Sequence, residues 1–174
     1  MDADAWRPWG RQGGRPRAAV LAAALCFIVL ALAGAVGLAL RQPWLFPSLG
    51  PTVMLFFTAP EQPAARPVNA LVGHLVAIVI GYGCVLAFGL TQAPPAPVGG
   101  LTLGYLLAGA LSVALTTLVL QLIRLPHQPA GATTLIVSLG ILDRPLELLD
   151  MAGAVVLITA AAWAAHLATG RWRP

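Results

Sequence analysis

The sequence has no lysine and few charges of either sign. Only 9% of its 174 residues are charged, whereas soluble globular domains carry about 25% charged residues. The ten basic residues are all arginines that flank apolar stretches, so they do not form the basic face that binds nucleic acid. With 59% hydrophobic residues and a mean hydropathy of +0.84, the chain is predicted to be an integral membrane protein. Its surroundings are then the lipid bilayer, and nucleic acid is excluded as a partner.

Groups that support catalysis or metal binding are also scarce. The two cysteines, Cys26 and Cys84, lie within apolar stretches and far apart in the sequence, which is typical of small core residues and not of metal ligands. No paired carboxylate lies within an apolar stretch, and there is no phosphate-binding loop or recognisably spaced nucleophile and base. We therefore expect no enzymatic activity, no metal and no cofactor.

Four uncharged stretches are long enough to cross a hydrocarbon core of about 30 Å. They cover residues 18 to 40, about 67 to 90, about 99 to 123 and about 146 to 168. The second and third are separated by "TQAPPAPVGG" at 91 to 100, whose prolines and glycines predict a tight turn. The predicted fold class is an all-α membrane protein with four transmembrane helices.

The charged ends of the chain predict its orientation. A basic arm at 1–17 and a basic tail at 169–174 flank a transmembrane domain at 18–168, and arginines collect on the cytoplasmic side of membrane proteins. We expect a multi-pass protein of the bacterial inner (cytoplasmic) membrane with both termini in the cytoplasm. The alternative is a secretory signal peptide cleaved after "AGA" at 33 to 35, but its apolar region would exceed the usual length of about 7 to 15 residues.

Two further uncharged segments, 42–60 and 125–142, cannot be continuous helices because prolines interrupt each of them. Each is predicted to be an extended entry followed by a short helix, the first over about 51–59 and the second over about 129–142. At about 1.5 Å per residue these helices reach roughly 13 and 20 Å, about half the hydrocarbon thickness. We expect two broken or re-entrant half-helices.

The two broken segments resemble each other. "SLGPT" and "PAGAT" each place a glycine two residues before a threonine, and each segment follows a full span and an arginine, Arg41 or Arg124. This pattern predicts two repeats of span, half-helix and span, at about 18–90 and about 99–168. An inverted arrangement places eight of the ten arginines inside, against six for a parallel one, so the positive-inside bias favours inverted repeats.

Inverted repeats with broken helices are a recurring way to build a transport site, because half-helix N-termini bring N–H groups and partial positive charge to the midplane. Such a terminus favours an anion. The histidines are expected to donate to that anion or to relay a proton, or alternatively to hold the breaks in shape, and the asparagine is either a helix cap or a lining group. The predicted lining residues are Ser48, Gly50, Thr52, Asn69, His74, His127, Gly131, Thr133 and Thr134.

A stripe of small residues follows the third span at every fourth position: Gly100, Gly104, Ala108, Ser112 and Thr116. Small residues let two helix backbones approach closely. The partner is either another helix of this chain or a helix of a second copy. A homo-oligomer is one outcome that the pattern allows, because a four-span protein of 18.0 kDa has little interior in which to bury polar groups.

Three blocks, "FPSLGPTVMLFFTAP", "ARPVNALVGH" and "PHQPAGATTLIVSLG", resemble the HPP family of small integral membrane proteins, and the resemblance covers about residues 18 to 168. It implies a four-helix membrane domain found in bacteria and plant plastids, with some members linked to nitrite transport. Some members also carry a CBS regulatory module, which we do not expect here. The family's His-Pro-Pro motif falls on His127, Gln128 and Pro129, so glutamine stands where the motif has its middle proline. The resemblance adds Gln128 and Pro129 to the expected substrate-binding residues.

These observations lead to one functional prediction and two alternatives. The prediction is an integral membrane transporter or channel-like facilitator for a small anion, with nitrite as the candidate that the family resemblance supplies. One alternative is a non-transporting membrane scaffold or assembly subunit, in which the broken segments are structural and the small-residue stripe binds a partner helix. The other is a permease for a small neutral solute, because no fixed positive side chain is expected near the midplane.

Overall fold

The computed structural model describes residues 15–169, and this part of the chain contains helices and no strands. All but the first residue of the predicted tail and all but the last three residues of the predicted arm lie outside the described residues. A 3-10 turn at Pro63–Ala65 precedes the second long helix. The helices are α1 (Arg15–Leu40), α2 (Leu49–Thr58), α3 (Pro67–Ala87), α4 (Ala96–Gly99), α5 (Leu103–Leu122), α6 (Ala130–Ser138) and α7 (Pro145–Thr169).

Four helices, α1, α3, α5 and α7, are long and apolar enough to cross a membrane. Their outward faces carry large apolar side chains, including Phe27 at 75% exposed, Leu38 at 83% and Leu122 at 72%. Water would penalise so much exposed hydrocarbon, whereas lipid does not. The predicted all-α membrane fold with four transmembrane helices is confirmed.

The two short helices α2 and α6 occupy the broken segments. They contain ten and nine residues, which at about 1.5 Å per residue is close to half a hydrocarbon core. Helix α2 begins two residues before the predicted start at Pro51, because proline is tolerated in a first turn whose N–H groups lack helical partners. Helix α6 ends at Ser138 and not near Leu142, because Gly140 takes a left-handed conformation with φ 73° and the chain turns away.

The two short helices pack in corresponding ways in the two halves of the chain. Helix α2 packs against α1 and α7, and helix α6 packs against α5 and α3. Each short helix therefore lies between the first span of its own repeat and the last span of the other. Helices α3 and α7, the last spans of the two repeats, also contact each other. These exchanged contacts are those expected of two related units that face each other, and the inverted orientation stays a prediction.

The first span of each repeat ends in the same way. Arg41 and Arg124 both have φ 58°, and within the described residues they alone adopt positive φ without being glycine. In both places the next residue donates its N–H to a carbonyl five residues earlier, Gln42 to Gly37 at 2.9 Å and Leu125 to Leu120 at 3.0 Å. This left-handed helix end costs an L-residue about 1–2 kcal/mol, and a cation at a helix C-terminus offsets part of that cost.

The small-residue stripe of α5 is buried inside the chain. Ala108, Ser112 and Thr116 are all buried, on a helix that packs against α3 and α6. The Ser112 hydroxyl lies within hydrogen-bond distance, 3.0 Å, of the hydroxyl of Ser138 at the end of α6. The partner of the stripe is therefore a helix of the same chain. Gly100 lies outside α5, in the turn before it.

The loop between the repeats contains a short helix in addition to the turn that its sequence predicts. It includes the one-turn helix α4, and Gly100 with φ 87° separates α4 from α5. Thr102 caps α5 by accepting the N–H of Tyr105 at 3.3 Å, so this span begins at Leu103 and not near residue 99. The Tyr105 hydroxyl donates back to the Pro94 carbonyl at 3.1 Å, which holds the loop against the helix.

Two glycines that end helices are expected to differ in their tolerance of alanine. Gly89 and Gly140 have φ 66° and 73°, so a β-carbon at either position costs about 1–2 kcal/mol. At Gly89 the added atom meets nothing within 4 Å, whereas at Gly140 it comes 2.8 Å from the buried Tyr105 hydroxyl. Gly140→Ala should therefore cost about 1–3 kcal/mol more than Gly89→Ala. Thermal unfolding of the two variants in detergent measures this difference, and equal losses would show that Tyr105 yields freely.

Candidate functional site

The residues predicted to line a site are brought together between the two repeats. Eight of them are buried, Gln128 is exposed, and Gly50 and Gly131 are half-buried. Seven of the buried residues are polar and come from α2 and the residue before it, α3, α6 and the segment before α6. They are Ser48, Thr52, Asn69, His74, His127, Thr133 and Thr134.

His74 of α3 is the centre of this arrangement. Its Nε2 atom lies 2.9 Å from the Thr52 hydroxyl oxygen on α2, and its Nδ1 atom lies 2.7 Å from the Thr133 hydroxyl oxygen on α6. The threonines are the matching residues of the "SLGPT" and "PAGAT" blocks. One imidazole ring on α3 therefore links the heads of both half-helices.

His127 lies beside His74 and belongs to the broken segment itself. Its Nδ1 atom is 2.8 Å from the carbonyl oxygen of Ala64, in the 3-10 turn before α3. Its Nε2 atom is 3.3 Å from His74 Nε2 and 3.4 Å from the Thr52 hydroxyl oxygen. The rings meet edge to face, with centroids 5.0 Å apart and planes at 65°. We call His74, His127, Thr52 and Thr133 the histidine–threonine cluster.

The partners of each atom determine where the protons lie. A carbonyl oxygen only accepts, so His127 carries its proton on Nδ1, and in the neutral ring Nε2 holds a lone pair. The Thr52 hydroxyl donates to the Ser48 carbonyl at 3.0 Å, so it accepts from Nε2–H of His74. His74 Nδ1 then accepts from the Thr133 hydroxyl. Two neutral rings with this assignment satisfy their hydrogen bonds, and the His74 proton then faces the lone pair of His127.

Glycine on α3 makes this close approach possible. A β-carbon on Gly73 would lie 2.8 Å from the β-carbon of His127, and one on Gly81 would lie 2.9 Å from the Thr134 carbonyl oxygen. Real side chains do not approach so closely, so the face of α3 toward α6 has to lack side chains at these two positions. Sequence reasoning did not identify Gly73 or Gly81, because glycine is common throughout this chain.

Asn69 and His127 both hold the broken segment in place. The Asn69 amide donates to the Pro126 carbonyl at 3.0 Å, which is one of the backbone acceptors that a proline-broken helix leaves without a helical partner. Asn69 does not cap its own helix, since α3 begins after Arg66 with no side-chain cap. Of the two roles open for Asn69, the helix cap is not observed and its amide instead bonds the broken segment beside His127, while the role of a lining group stays a prediction.

The backbone N–H groups at the head of α6 are occupied. Ala130, Gly131 and Ala132 donate to the carbonyls of residues 127, 128 and 129, at 3.1, 3.0 and 3.1 Å. The sequence-based expectation of unbonded N–H groups here does not hold, because the segment turns tightly and supplies acceptors three residues earlier. A ligand at this end of α6 meets hydroxyl, amide and imidazole groups in place of bare backbone.

Two cavities are lined in part by the broken segment. A small pocket of about 200 Å³ is lined by Pro126 and His127 on one side and by α5 on the other. A larger cleft of about 810 Å³ between α3 and α7 is lined by Leu125 and Asn69. Consecutive residues of the broken segment, 125 to 127, therefore contribute to the lining of both spaces. Sequence reasoning placed Thr116 of the small pocket in the packing stripe and did not identify Thr159 of the cleft.

Comparison with known proteins identifies a family of membrane proteins and one transmembrane relative. No solved structure matches the chain. A transmembrane protein of Dictyostelium discoideum is 30% identical over 97 residues, which make up 56% of this chain and 30% of that protein, so the chain spans less than a third of that relative's length. The family described as HPP, transmembrane region, matches residues 11–174. Because that match covers nearly the whole sequence, the chain belongs to the HPP family of integral membrane proteins.

Proposed function

We propose that this protein is a membrane transporter or channel-like facilitator for a small anion. The observation that carries the proposal is the histidine–threonine cluster, which is buried in the membrane domain and built from both repeats. Nitrite is the candidate substrate, because some HPP proteins are linked to nitrite transport. The proposal includes His74, His127, Thr52 and Thr133 as groups that meet the translocated anion or its proton.

The cost of burying polar groups supports a functional role. Moving a hydroxyl or amide from water into an apolar medium costs about 1–3 kcal/mol even in protein hosts, and ionisable residues at membrane depth usually serve transport or proton transfer. A structural clamp for the broken segment needs only the bonds from Asn69 to Pro126 and from His127 to Ala64. His74, Thr52 and Thr133 form a further polar chain that the clamp does not require.

The chemistry of the cluster suits an anion that moves with a proton. The neutral network offers hydroxyl and imidazole donors, but no fixed positive charge. If the histidine pair takes up one proton, the lone pair of His127 Nε2 receives it, and the pair shares a positive charge beside the anion. Such a charge stabilises an anion far more in a low-dielectric site than in water. The proton is then released with the anion on the other side.

The scaffold alternative has lost its main support from the sequence. It relied on the small-residue stripe of α5 as a surface for a partner helix, and the inner part of that stripe packs against α3 and α6 of the same chain. The neutral-solute alternative keeps one favourable observation, namely that no acidic or basic side chain other than the two histidines is in the cluster. Urea flux measured beside nitrite flux separates the neutral solute from the anion.

Flux in proteoliposomes tests the proposal. We expect purified protein to move nitrite faster than empty vesicles do, and the double variant His127→Ala with Thr133→Val to lose roughly 10- to 100-fold in rate. Each hydrogen bond to a charged partner contributes about 1.5–3 kcal/mol, and 1.4 kcal/mol is about tenfold. The matched control is Ser112→Ala, which removes another buried hydroxyl outside the cluster and should transport like the wild type.

Two results would contradict the proposal. One is wild-type flux of nitrite, nitrate and formate no faster than in empty vesicles, in protein whose thermal unfolding shows that it is folded. The other is equal flux in the wild type and the double variant, which would place any transport path away from the histidine–threonine cluster.

A further inference from the structure

The small pocket beside the histidine–threonine cluster has a polar mouth and a buried inner end. It lies between α5 and the broken segment, and its volume is about 200 Å³. The side chains of Gln121 and Gln128 are exposed at its mouth, while Thr116 and His127 are each only 2% exposed. The pocket lining therefore combines two exposed amides with a buried hydroxyl and a ring of the cluster.

Thr116 has an unused hydrogen-bonding group at this inner end. Its hydroxyl oxygen is buried and has no hydrogen-bond partner in the protein. Threonine hydroxyls inside helices usually bond to a carbonyl of the preceding turn, and buried polar atoms without a partner are rare because each costs about 1–3 kcal/mol. The other hydroxyl of the stripe, Ser112, does bond to its own helix, at the Gly109 carbonyl. A ligand in the pocket would supply the missing partner.

Gly131 keeps the opposite wall of the pocket open. A β-carbon built on this glycine meets no atom within 4 Å, so packing does not require glycine here, and its backbone is that of an ordinary helix. Glycine in a helix costs roughly 0.5–1 kcal/mol relative to alanine. Space left by a glycine in a pocket lined by a buried, unpartnered hydroxyl gives a small ligand room that an alanine side chain would fill.

We propose that this pocket is the binding chamber for the transported species, and that it selects a compact, singly charged oxyanion. The inference rests on the proposed function and identifies where the substrate sits and what limits its size. Thr116 donates to the anion at the inner end, the glutamine amides donate at the mouth, and His127 connects the chamber to the proton held between the two histidines.

Size and charge of the lining support this ligand class. The volume is below the about 300 Å³ at which pockets for drug-sized ligands begin, so only a few heavy atoms fit together with water. The lining contains no acidic residue, no arginine and no lysine. It consists of Val113, Thr116, Thr117, Leu120, Gln121, Pro126, His127, Gln128 and Gly131. A neutral lining with many donors tolerates a single negative charge, whereas a divalent anion would lose far more hydration than these donors return.

Binding to the full-length protein in detergent tests the chamber directly. The probes are sodium nitrite and sodium formate, with sodium sulfate as the divalent comparison and urea as the neutral one. Titration calorimetry on the wild type should show binding of nitrite and formate, with sulfate and urea much weaker. Thr116→Val should weaken nitrite binding about 10- to 100-fold. Its melting temperature should stay the same or rise, because the deleted hydroxyl bonds to nothing in the protein.

Matched controls separate a ligand site from general damage. Thr159→Val removes another buried, unpartnered hydroxyl, in the cleft between α3 and α7, and should leave nitrite binding unchanged. Gly131→Ala should weaken binding by filling the chamber. Gly83→Ala, which adds the same atom on the exposed face of α3 with nothing within 4 Å, should not.

The outcomes distinguish this inference from the proposed function. Equal nitrite affinity in wild type, Thr116→Val and Gly131→Ala would overturn the chamber while leaving transport open to the flux assay. Absence of anion binding to the folded wild type would also overturn it. Binding that depends on Thr116 in a protein that moves no anion would support the chamber and overturn the proposed transport.

Discussion

Replacing His74 with leucine is expected to lower the free energy of unfolding by about 3–5 kcal/mol and to abolish anion flux. Leucine fills a similar volume but leaves the hydroxyls of Thr52 and Thr133 without their 2.9 and 2.7 Å partners. It also removes the neighbour of the His127 lone pair. A buried group that loses its partner costs about 1–3 kcal/mol, and a shared network loses more than one bond when its central member is removed.

Thermal unfolding in detergent, with flux measured on the same preparation, checks this prediction. The matched control is His74→Gln, whose amide both donates and accepts and so keeps part of the network. It should restore much of the stability but not proton-dependent flux, because an amide cannot share the positive charge of a proton that His127 Nε2 takes up. If His74→Leu melts at the wild-type temperature, the network contributes nothing to stability.

Replacing Gly73 with alanine is expected to destabilise the protein by about 1–3 kcal/mol, although the same change usually stabilises a helix. Alanine is favoured over glycine in a helix interior by roughly 0.5–1 kcal/mol. At Gly73 the new β-carbon would lie 2.8 Å from the β-carbon of His127 and 3.2 Å from its ring. The contact includes the start of the side chain, so it is relieved only by moving the broken segment away from α3, and such overpacking costs about 1–3 kcal/mol.

Gly83→Ala provides the comparison on the same helix. It is expected to raise stability by roughly 0.5–1 kcal/mol, because its added atom meets nothing within 4 Å. The two variants should therefore shift the melting temperature in opposite directions. We also expect Gly73→Ala to lose flux, because moving His127 lengthens its 3.3 Å approach to His74. A stabilised Gly73→Ala would show that the broken segment shifts without cost.

Much of the fold was predictable because it follows from composition and from proline. Uncharged stretches of about 20 residues have few stable states other than membrane helices, so α1, α3, α5 and α7 were expected within a few residues. Prolines inside the two remaining segments excluded full helices, which left α2 and α6. The helix ends were harder to predict. Gly140 ends α6 and Gly100 separates α4 from α5, each through a positive φ that the apolar sequence around it does not indicate.

The candidate site was predictable as a set of residue types and not as a geometry. Threonine after glycine in both broken segments identified Thr52 and Thr133, and the two histidines were conspicuous in apolar surroundings. Their pairing was not visible, since the contacts join residues 22 to 75 positions apart. The bond from His127 to the Ala64 carbonyl could not be foreseen, because any backbone carbonyl is an equally good acceptor. Gln128, where the family motif has proline, is at the mouth of the small pocket and not inside the cluster.

By itself the sequence determined the membrane environment, the four spans, the two short helices and the duplicated order of these elements. These follow from local hydrophobicity and local backbone restriction, which act along the chain and need no knowledge of its partners. Only the tertiary structure decided that the stripe of α5 packs internally, that the N–H groups at the head of α6 are occupied, and that one histidine joins both half-helices. Those features depend on which helix faces meet. At Gly73 and His74, shifts of a few tenths of an ångström in the contacts with the broken segment decide whether those faces can pack together.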